Sequence, residues 1–190
     1  MIKAFILAGG KGAHLRPLAL HIPKPIVPLA NIPFLFFQID DIKRAGLTEI
    51  ILGLSYQPRK ITDIFGDGMK FGVTMRYTYE DFPRGTAGAF KAAENLIDDT
   101  TLVLNGDILT DTDLREVIQF HQEHKADATI VTARVMNPSG YGMVEADGDA
   151  ATSPRGSAPF VPGPELRPAP PRDRDRRRLA GCVPDPLVES

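Results

Sequence analysis

With 190 residues, the chain is long enough for one domain with a sizeable hydrophobic core. Its formal net charge of −2 gives no overall attraction to nucleic acid or to an anionic membrane, and we expect neither as a partner. The only cysteine, Cys182, excludes an internal disulfide framework. No apolar run approaches the ~20 residues of a membrane span, and the N-terminus lacks the pattern of a signal peptide, so we expect a cytoplasmic protein.

Strand and helix patterns alternate along residues 1–148. Apolar runs and period-two alternation predict strands at 2–8, 49–54, 73–79, 101–104, 128–135 and 141–145. Helical spacing and capping residues predict helices at 33–45, 60–65, 87–97 and 112–124. Such alternation predicts an α/β fold with a Rossmann-like, mainly parallel sheet and helices on both faces. Ligands of such sheets bind at the carboxyl ends of the strands.

The first strand leads into a glycine-rich loop, GGKG at 9–12, whose backbone N–H groups can approach a phosphate closely. The loop is not a dinucleotide fingerprint, because position 15 is Leu15, and it lacks the Gly-Lys-Ser/Thr of a Walker A loop. Taken alone, it is equally consistent with a tight turn. Arg16 and Lys24 follow beside stiffening prolines, which favours a triphosphate clamp over an ordinary solvated basic loop.

Two later turns contain candidate binding residues. Asp107 follows the apolar run 102–104, where a carboxylate can hold Mg²⁺, although the NGD sequence is also good turn chemistry on its own. Residues 85–88 (GTAG) join a strand to a helix, and their small side chains would let a base or a sugar lie against the backbone. A plain helix N-cap explains these residues equally well. Gly142 would offer a similar close approach near a sugar.

Residues 149–190 differ in composition from the part before them. Proline and arginine dominate the segment, lysine, isoleucine and tyrosine are absent from it, and no hydrophobic periodicity survives. A segment of this kind buries too little apolar surface to offset its ordering entropy, so we predict a disordered C-terminal tail. Its arginine cluster at 172–178 is typical of a solvated tail, with contact to RNA or anionic lipid as the alternative.

Six motifs occur in an order that resembles the sugar-1-phosphate nucleotidyltransferases, most closely the mannose-1-phosphate guanylyltransferase branch. They are LAGGKG at 7–12, LRPL at 15–18, PKP at 23–25, GTAG at 85–88, NGD at 105–107 and PSGYG at 138–142. The resemblance covers residues 1–148. It implies that a sugar 1-phosphate attacks the α-phosphorus of a nucleoside triphosphate and releases pyrophosphate. The implied substrates are GTP and mannose 1-phosphate, the implied cofactor is Mg²⁺, and a homo-oligomer is left open.

The same resemblance implies a role for individual residues. Arg16 and Lys24 would stabilise charge near the α-phosphate and the leaving group, and Asp107 would bind Mg²⁺. The backbone of the glycine loop would hold the triphosphate, and the GTAG turn would contact the base. The implied substrate-binding residues are Leu7, Ala8, Gly9, Gly10, Gly12, Gly85, Thr86, Ala87, Asn105 and Gly142.

The chain departs from this family in two places. Ala13-His14 stands where the family has Thr-Arg, and a histidine cannot supply the bidentate phosphate contact of an arginine. After residue 148 the family's Gly-Arg-Ile/Val and Glu-Lys-Pro segments do not follow, which we interpret as a frameshift or a gene-model artefact near residues 148–152. We therefore expect a truncated fold and impaired catalysis, with a non-catalytic nucleotide-binding module or an inactive fragment as the alternatives.

Overall fold

The computed structural model describes residues 1–12, 15–80, 82, 85–133, 142–147, 150–156 and 179–182. Its chain divides into two compact units, residues 1–115 and 116–190. The domain boundary that the sequence predicts at residue 148 stays a prediction.

Unit 1 is built on a parallel four-stranded sheet. In chain order, the strands of this unit are β1 (Lys3–Leu7), β2 (Pro28–Leu29), β3 (Ile32–Pro33), β4 (Glu49–Leu54), β5 (Thr74–Tyr79) and β6 (Thr101–Asn105). The sheet has the order β5-β4-β1-β6, and every neighbouring pair is parallel. Strands β2 and β3 form a separate antiparallel pair. The predicted α/β fold with a parallel sheet is therefore confirmed.

The described ranges contain four α-helices: α1 (Phe34–Arg44), α2 (Pro58–Phe65), α3 (Gly85–Ala92) and α4 (Leu114–His124), of which α4 lies mostly in unit 2. The sequence predicts one helix over 87–97, whereas α3 ends at Ala92 and a 3₁₀ turn follows at Glu94–Leu96. The change from α-helical to 3₁₀ hydrogen bonding occurs at Ala93, whose N–H donates to the Phe90 carbonyl three residues earlier. No helix in the described ranges is both long and apolar enough to cross a membrane.

The two inner strands of the parallel sheet, β1 and β4, are buried on both of their faces. On one face, Phe5 of β1 meets Phe90 of α3 edge to face, with 5.4 Å between the ring centroids, and clusters with Ile51 and Ala93. The neighbouring residues of β1, Ala4 and Ile6, point to the opposite face and are also fully buried. A strand covered on both sides is typical of a parallel sheet between layers of helices.

Unit 2 contains a mixed sheet. Its strands are β7 (Ala128–Val131), β8 (Gly142–Asp147), β9 (Ala150–Gly156) and β10 (Leu179–Cys182), in the order β7-β10-β9-β8. Strand β9 pairs antiparallel with β8, and β10 pairs parallel with β7 and antiparallel with β9. The alternation of elements predicts one mainly parallel sheet, but these strands belong to a second one.

Strands β9 and β10 correct the prediction of a disordered tail at these positions. Strand β9 follows β8 directly, and Ala150 pairs with Asp147, so the pairing is local and requires closure of only a short loop. Strand β10 has the uncharged sequence LAGC, and its backbone groups pair with strands on both sides. The rest of the predicted tail lies outside the described residues.

Candidate functional site

A cleft of about 260 Å³ opens in unit 1 at the carboxyl ends of the parallel strands. Each strand contributes residues at or just beyond its end: β1 the segment 7–10, β4 Ser55, β5 Glu80 and β6 the segment 105–107. Because parallel strands all end at one edge, residues far apart in sequence meet there. Predicted site residues that line the cleft are Leu7, Ala8, Gly9, Gly10, Lys24, Gly85, Thr86, Asn105 and Asp107.

The other four predicted residues lie elsewhere. Gly12 is buried beside Lys24. Arg16 lies in an exposed turn and Ala87 lies in the first turn of α3, and neither is among the described residues that line the cleft. Gly142 begins β8 in unit 2. Its role beside a sugar, and that of Arg16 beside a phosphate, stay predictions.

The glycine loop is held close to its neighbours by backbone contacts. The N–H of Ala8 donates to the Gly53 carbonyl at 2.9 Å, which continues the pairing of β1 with β4. Gly12 has a positive φ of 59°, and a Cβ at this position would lie 3.1 Å from the Lys24 Cβ. Only glycine combines this backbone conformation with so close an approach at little cost. The loop can therefore turn directly against the segment that carries Lys24.

Lys24 is presented to the cleft by a short, well-anchored turn. It opens the 3₁₀ turn Lys24–Ile26, and the prolines on either side of it, Pro23 and Pro25, are buried. The Lys24 side chain is only 15% exposed, and its ammonium group forms an ion pair with the Asp107 carboxylate, 83 residues away in sequence. The structure thus brings two of the three charged residues that the sequence predicts for the site into direct contact.

The turn that carries Asp107 is fixed from two sides. The N–H of Gly106 donates to the Leu7 carbonyl at 2.9 Å. From α1, the Gln38 side-chain amide donates to the carbonyls of Asn105 at 2.7 Å and Ile108 at 2.8 Å, one on each side of Asp107. Gln38 is 4% exposed. Because a buried amide with two good partners has little freedom, we infer that Gln38 sets the position of the Asp107 turn.

Replacing Gln38 by methionine is expected to lower the free energy of unfolding by about 1–3 kcal/mol, because two hydrogen bonds donated by a buried side-chain amide are lost. Urea denaturation followed by circular dichroism measures this change. The matched control is Gln119→Met on α4, where the replaced amide is exposed and bonds only Glu123 among the described partners. Equal unfolding midpoints for the two variants would contradict the role given to Gln38.

The donor set of the cleft suits a magnesium ion that arrives with its substrate. Asp107 is 38% exposed, which leaves its carboxylate accessible. Within the described ranges there is no group of three or more His, Cys, Asp or Glu residues that would form a cage around a metal. Mg²⁺ is commonly held by one or two carboxylates together with waters and substrate phosphates. Asp107 therefore fits as a protein ligand of a metal shared with a polyphosphate.

Three polar residues at the site are absent from the predicted set of site residues. Ser55 and Glu80 line the cleft directly after β4 and β5, and the rule that ligands bind at strand ends could have indicated both. Gln38 has a weaker signal, since it is the one polar residue on the buried stripe of α1 that otherwise consists of Leu35, Ile39 and Ile42. Its partners could not be predicted, because they lie 67 and 70 residues further along the chain.

Comparison with known proteins finds relatives that match most of the chain. A mannose-1-phosphate guanylyltransferase of Mycobacterium tuberculosis is 42% identical over 147 residues, which are 77% of this chain and 41% of the relative. A mannose-1-phosphate guanyltransferase of Pichia angusta is 40% identical over 152 residues, 78% of this chain and 42% of the relative. The chain thus spans about two fifths of the length of these curated relatives.

Solved structures show the same fold. HddC from Yersinia pseudotuberculosis, crystallised with GMP-PN, superimposes with a TM-score of 0.73 at 23% identity, covering 96% of this chain and 90% of its own. The family model described as Nucleotidyl transferase matches residues 3–155. This match includes nearly all of unit 1 and the first part of unit 2, and the chain belongs to the nucleotidyl transferase family.

Proposed function

We propose that the chain forms the nucleotide-binding part of a sugar-1-phosphate nucleotidyltransferase, with GTP and mannose 1-phosphate as its substrates. The observation that carries the proposal is the ion pair of Lys24 and Asp107 beside the glycine loop, at the carboxyl edge of a parallel sheet. The names of the guanylyltransferase relatives support the choice of substrates.

Within this proposal, the protein acts by positioning and by neutralising charge. Backbone N–H groups of Gly9 and Gly10 would approach the phosphates, and no Cβ keeps the ligand away from them. Lys24 would place its ammonium group against the negative charge of the triphosphate and of the leaving pyrophosphate. Asp107 would hold Mg²⁺, which when bound neutralises phosphate charge. Arg16 and Gly142 keep the roles that the family resemblance implies for them.

The pairing of Lys24 with Asp107 also explains how both charges stay in place. Each of the two charged groups is the ion-pair partner of the other within the cleft. Neither group therefore has to move toward solvent for its charge to be compensated. A magnesium-bound triphosphate offers both groups a new partner of opposite charge, phosphate for Lys24 and metal for Asp107. Because the binding groups are already positioned, less entropy is lost when the ligand binds.

A second candidate is a module that binds nucleotide without turnover. The sequence at positions 13 and 14, Ala-His in place of the family's Thr-Arg, favours it because an arginine fork contacts phosphate in two places and a histidine cannot. In this alternative the cleft and its bound nucleotide are unchanged, and only the rate of transfer falls.

Two measurements distinguish these functions. Isothermal titration calorimetry with GTP and MgCl₂ measures binding, and pyrophosphate release from GTP plus mannose 1-phosphate measures transfer, with mannose 1-phosphate omitted as the control. Heat together with sugar-dependent pyrophosphate supports the enzyme, and heat without pyrophosphate supports the module. Absence of heat with every nucleoside triphosphate, on folded protein, would contradict both.

A further inference from the structure

Strand β6 is an open edge of the parallel sheet in unit 1. It pairs with β1 on one side, and no strand of the described residues pairs with its other side. Val103 is accordingly 42% exposed, whereas Phe5, the residue beside it on β1, is fully buried. On the other side of β1, every residue of β4 beyond Glu49 is buried. An apolar strand with an unpaired edge is a surface to which another strand can add.

β6 lacks the features that normally protect an edge strand. Natural edge strands carry charged side chains, prolines or bulges, which discourage pairing with another chain. The other outer strand, β5, presents the exposed Arg76. In contrast, β6 has the sequence TLVLN, without charge or proline, and it pairs with β1 in unbroken register. The turn after β6 adds two exposed apolar residues, Ile108 and Leu109. The edge therefore suits an uncharged partner strand.

The pairing with β1 shows which backbone groups of β6 face outward. The N–H of Gly106, directly after β6, donates to the Leu7 carbonyl of β1. Because backbone groups alternate in direction along a strand, those of Thr101, Val103 and Asn105 face away from β1.

One end of this edge is already closed. The Asn105 carbonyl accepts a hydrogen bond of 2.7 Å from the buried Gln38 amide. The outward groups that are left for a partner strand are therefore the N–H and C=O of Thr101 and of Val103.

We propose that the partner strand is β6 of a second copy of this chain, paired antiparallel across a two-fold axis. With the axis at Leu102, Thr101 of each copy exchanges two hydrogen bonds with Val103 of the other. The two Leu102 residues then face each other as a non-hydrogen-bonded pair, and apolar side chains meet across the junction.

Charge favours a second copy at β6 and opposes one at β5. Two identical β6 strands do not repel each other, because neither has a charged side chain. The same two-fold pairing of β5 would bring two Arg76 side chains together. The β6 junction joins only a few residues of each copy, so we expect a weak dimer whose population depends on protein concentration.

Sedimentation equilibrium of the full chain tests the association. Over about a hundredfold range of concentration, the mass should rise from 20.7 kDa toward twice that value. Val103→Lys places a charge on the edge and should raise the dimer dissociation constant at least tenfold. The matched control is Met69→Lys, because Met69 is 75% exposed in a 3₁₀ turn away from β6, and this variant should associate like the unmodified chain.

Cysteine cross-linking tests the register. In a Cys182→Ser background, Leu102→Cys places two thiols at the two-fold axis, where the Cα atoms would lie about 4.5 Å apart, within the reach of a disulfide. Mild oxidation should convert this variant to a covalent dimer. Arg76→Cys in the same background is the control for the other outer strand, and it should stay monomeric.

A chain that remains monomeric at every concentration would overturn the inference. A dimer that Val103→Lys leaves intact, or that Leu102→Cys does not cross-link, would overturn it too, because the copies then meet through another surface. Association beyond the dimer would also contradict it, since a two-fold pairing covers β6 in both copies. If Val103→Lys does not fold, as judged by circular dichroism, the cross-linking result decides.

Discussion

Replacing Lys24 by methionine is expected to weaken the binding of GTP about 10- to 100-fold, both with and without magnesium, because a charge-assisted contact to the phosphates is lost. The Lys24 side chain is mostly buried beside the glycine loop, where a lost charge is not replaced by water as easily as on an open surface. Methionine keeps the length and the apolar part of the side chain. Calorimetric titration with GTP, in MgCl₂ and in EDTA, measures the change.

Replacing Asp107, the ion-pair partner of Lys24, is expected to have an effect that depends on magnesium. Asp107→Asn should weaken GTP binding in MgCl₂ but not in EDTA, because the carboxylate acts on the nucleotide through the metal.

The matched control for Lys24→Met is Lys91→Met, since Lys91 is exposed on α3 and pairs with Glu94 outside the cleft lining. Equal GTP affinities of Lys24→Met and Lys91→Met would contradict the role proposed for the Lys24 ammonium group in binding the phosphates.

Adding one methyl group at Gly106 is expected to lower the free energy of unfolding by about 3 kcal/mol and to weaken nucleotide binding. A Cβ at this position would lie 2.6 Å from the Leu7 carbonyl oxygen, the same atom that accepts the Gly106 N–H. The overlap is with backbone, so it cannot be relieved by rotating a side chain. Relief requires the turn to move away from β1, and Asp107 moves with it. Urea denaturation and GTP titration of Gly106→Ala measure the two effects.

Gly10→Ala is the control for the stability of Gly106→Ala. Apart from its two chain neighbours, no atom of the described residues would lie within 4 Å of a Cβ on Gly10, so this part of the fold has room for it. Its unfolding midpoint should match that of the unmodified chain. Gly10 lines the cleft, and its variant therefore serves as a control for stability alone. An unfolding midpoint of Gly106→Ala as high as that of Gly10→Ala would show that the Asp107 turn is not tightly joined to β1.

The fold of the first unit could be predicted in most of its elements because its signals are local. The strands β1, β4, β5 and β6 are short apolar or alternating runs bounded by turn residues, and their ends lie within two residues of the predicted ones. Strand β10 shows the opposite case. Its four residues have no periodicity, and they form a strand because their backbone groups pair with β7, which lies about 50 residues earlier. Tertiary pairing of this kind leaves no local pattern to detect.

For the site, the sequence alone indicates which chemical groups are present. The glycine loop, Lys24, the GTAG turn and Asp107 each have a local reason for their residue type, and most of them line one cleft. Which of these groups contact one another depends on the folded arrangement of the chain. The ion pair of Lys24 with Asp107, the hold of Gln38 on the Asp107 turn and the placement of Glu80 at the far strand all depend on distant segments converging at one sheet edge. A sequence motif indicates which chemistry a residue can perform. The pairing of strands that are distant in sequence fixes which groups that residue contacts.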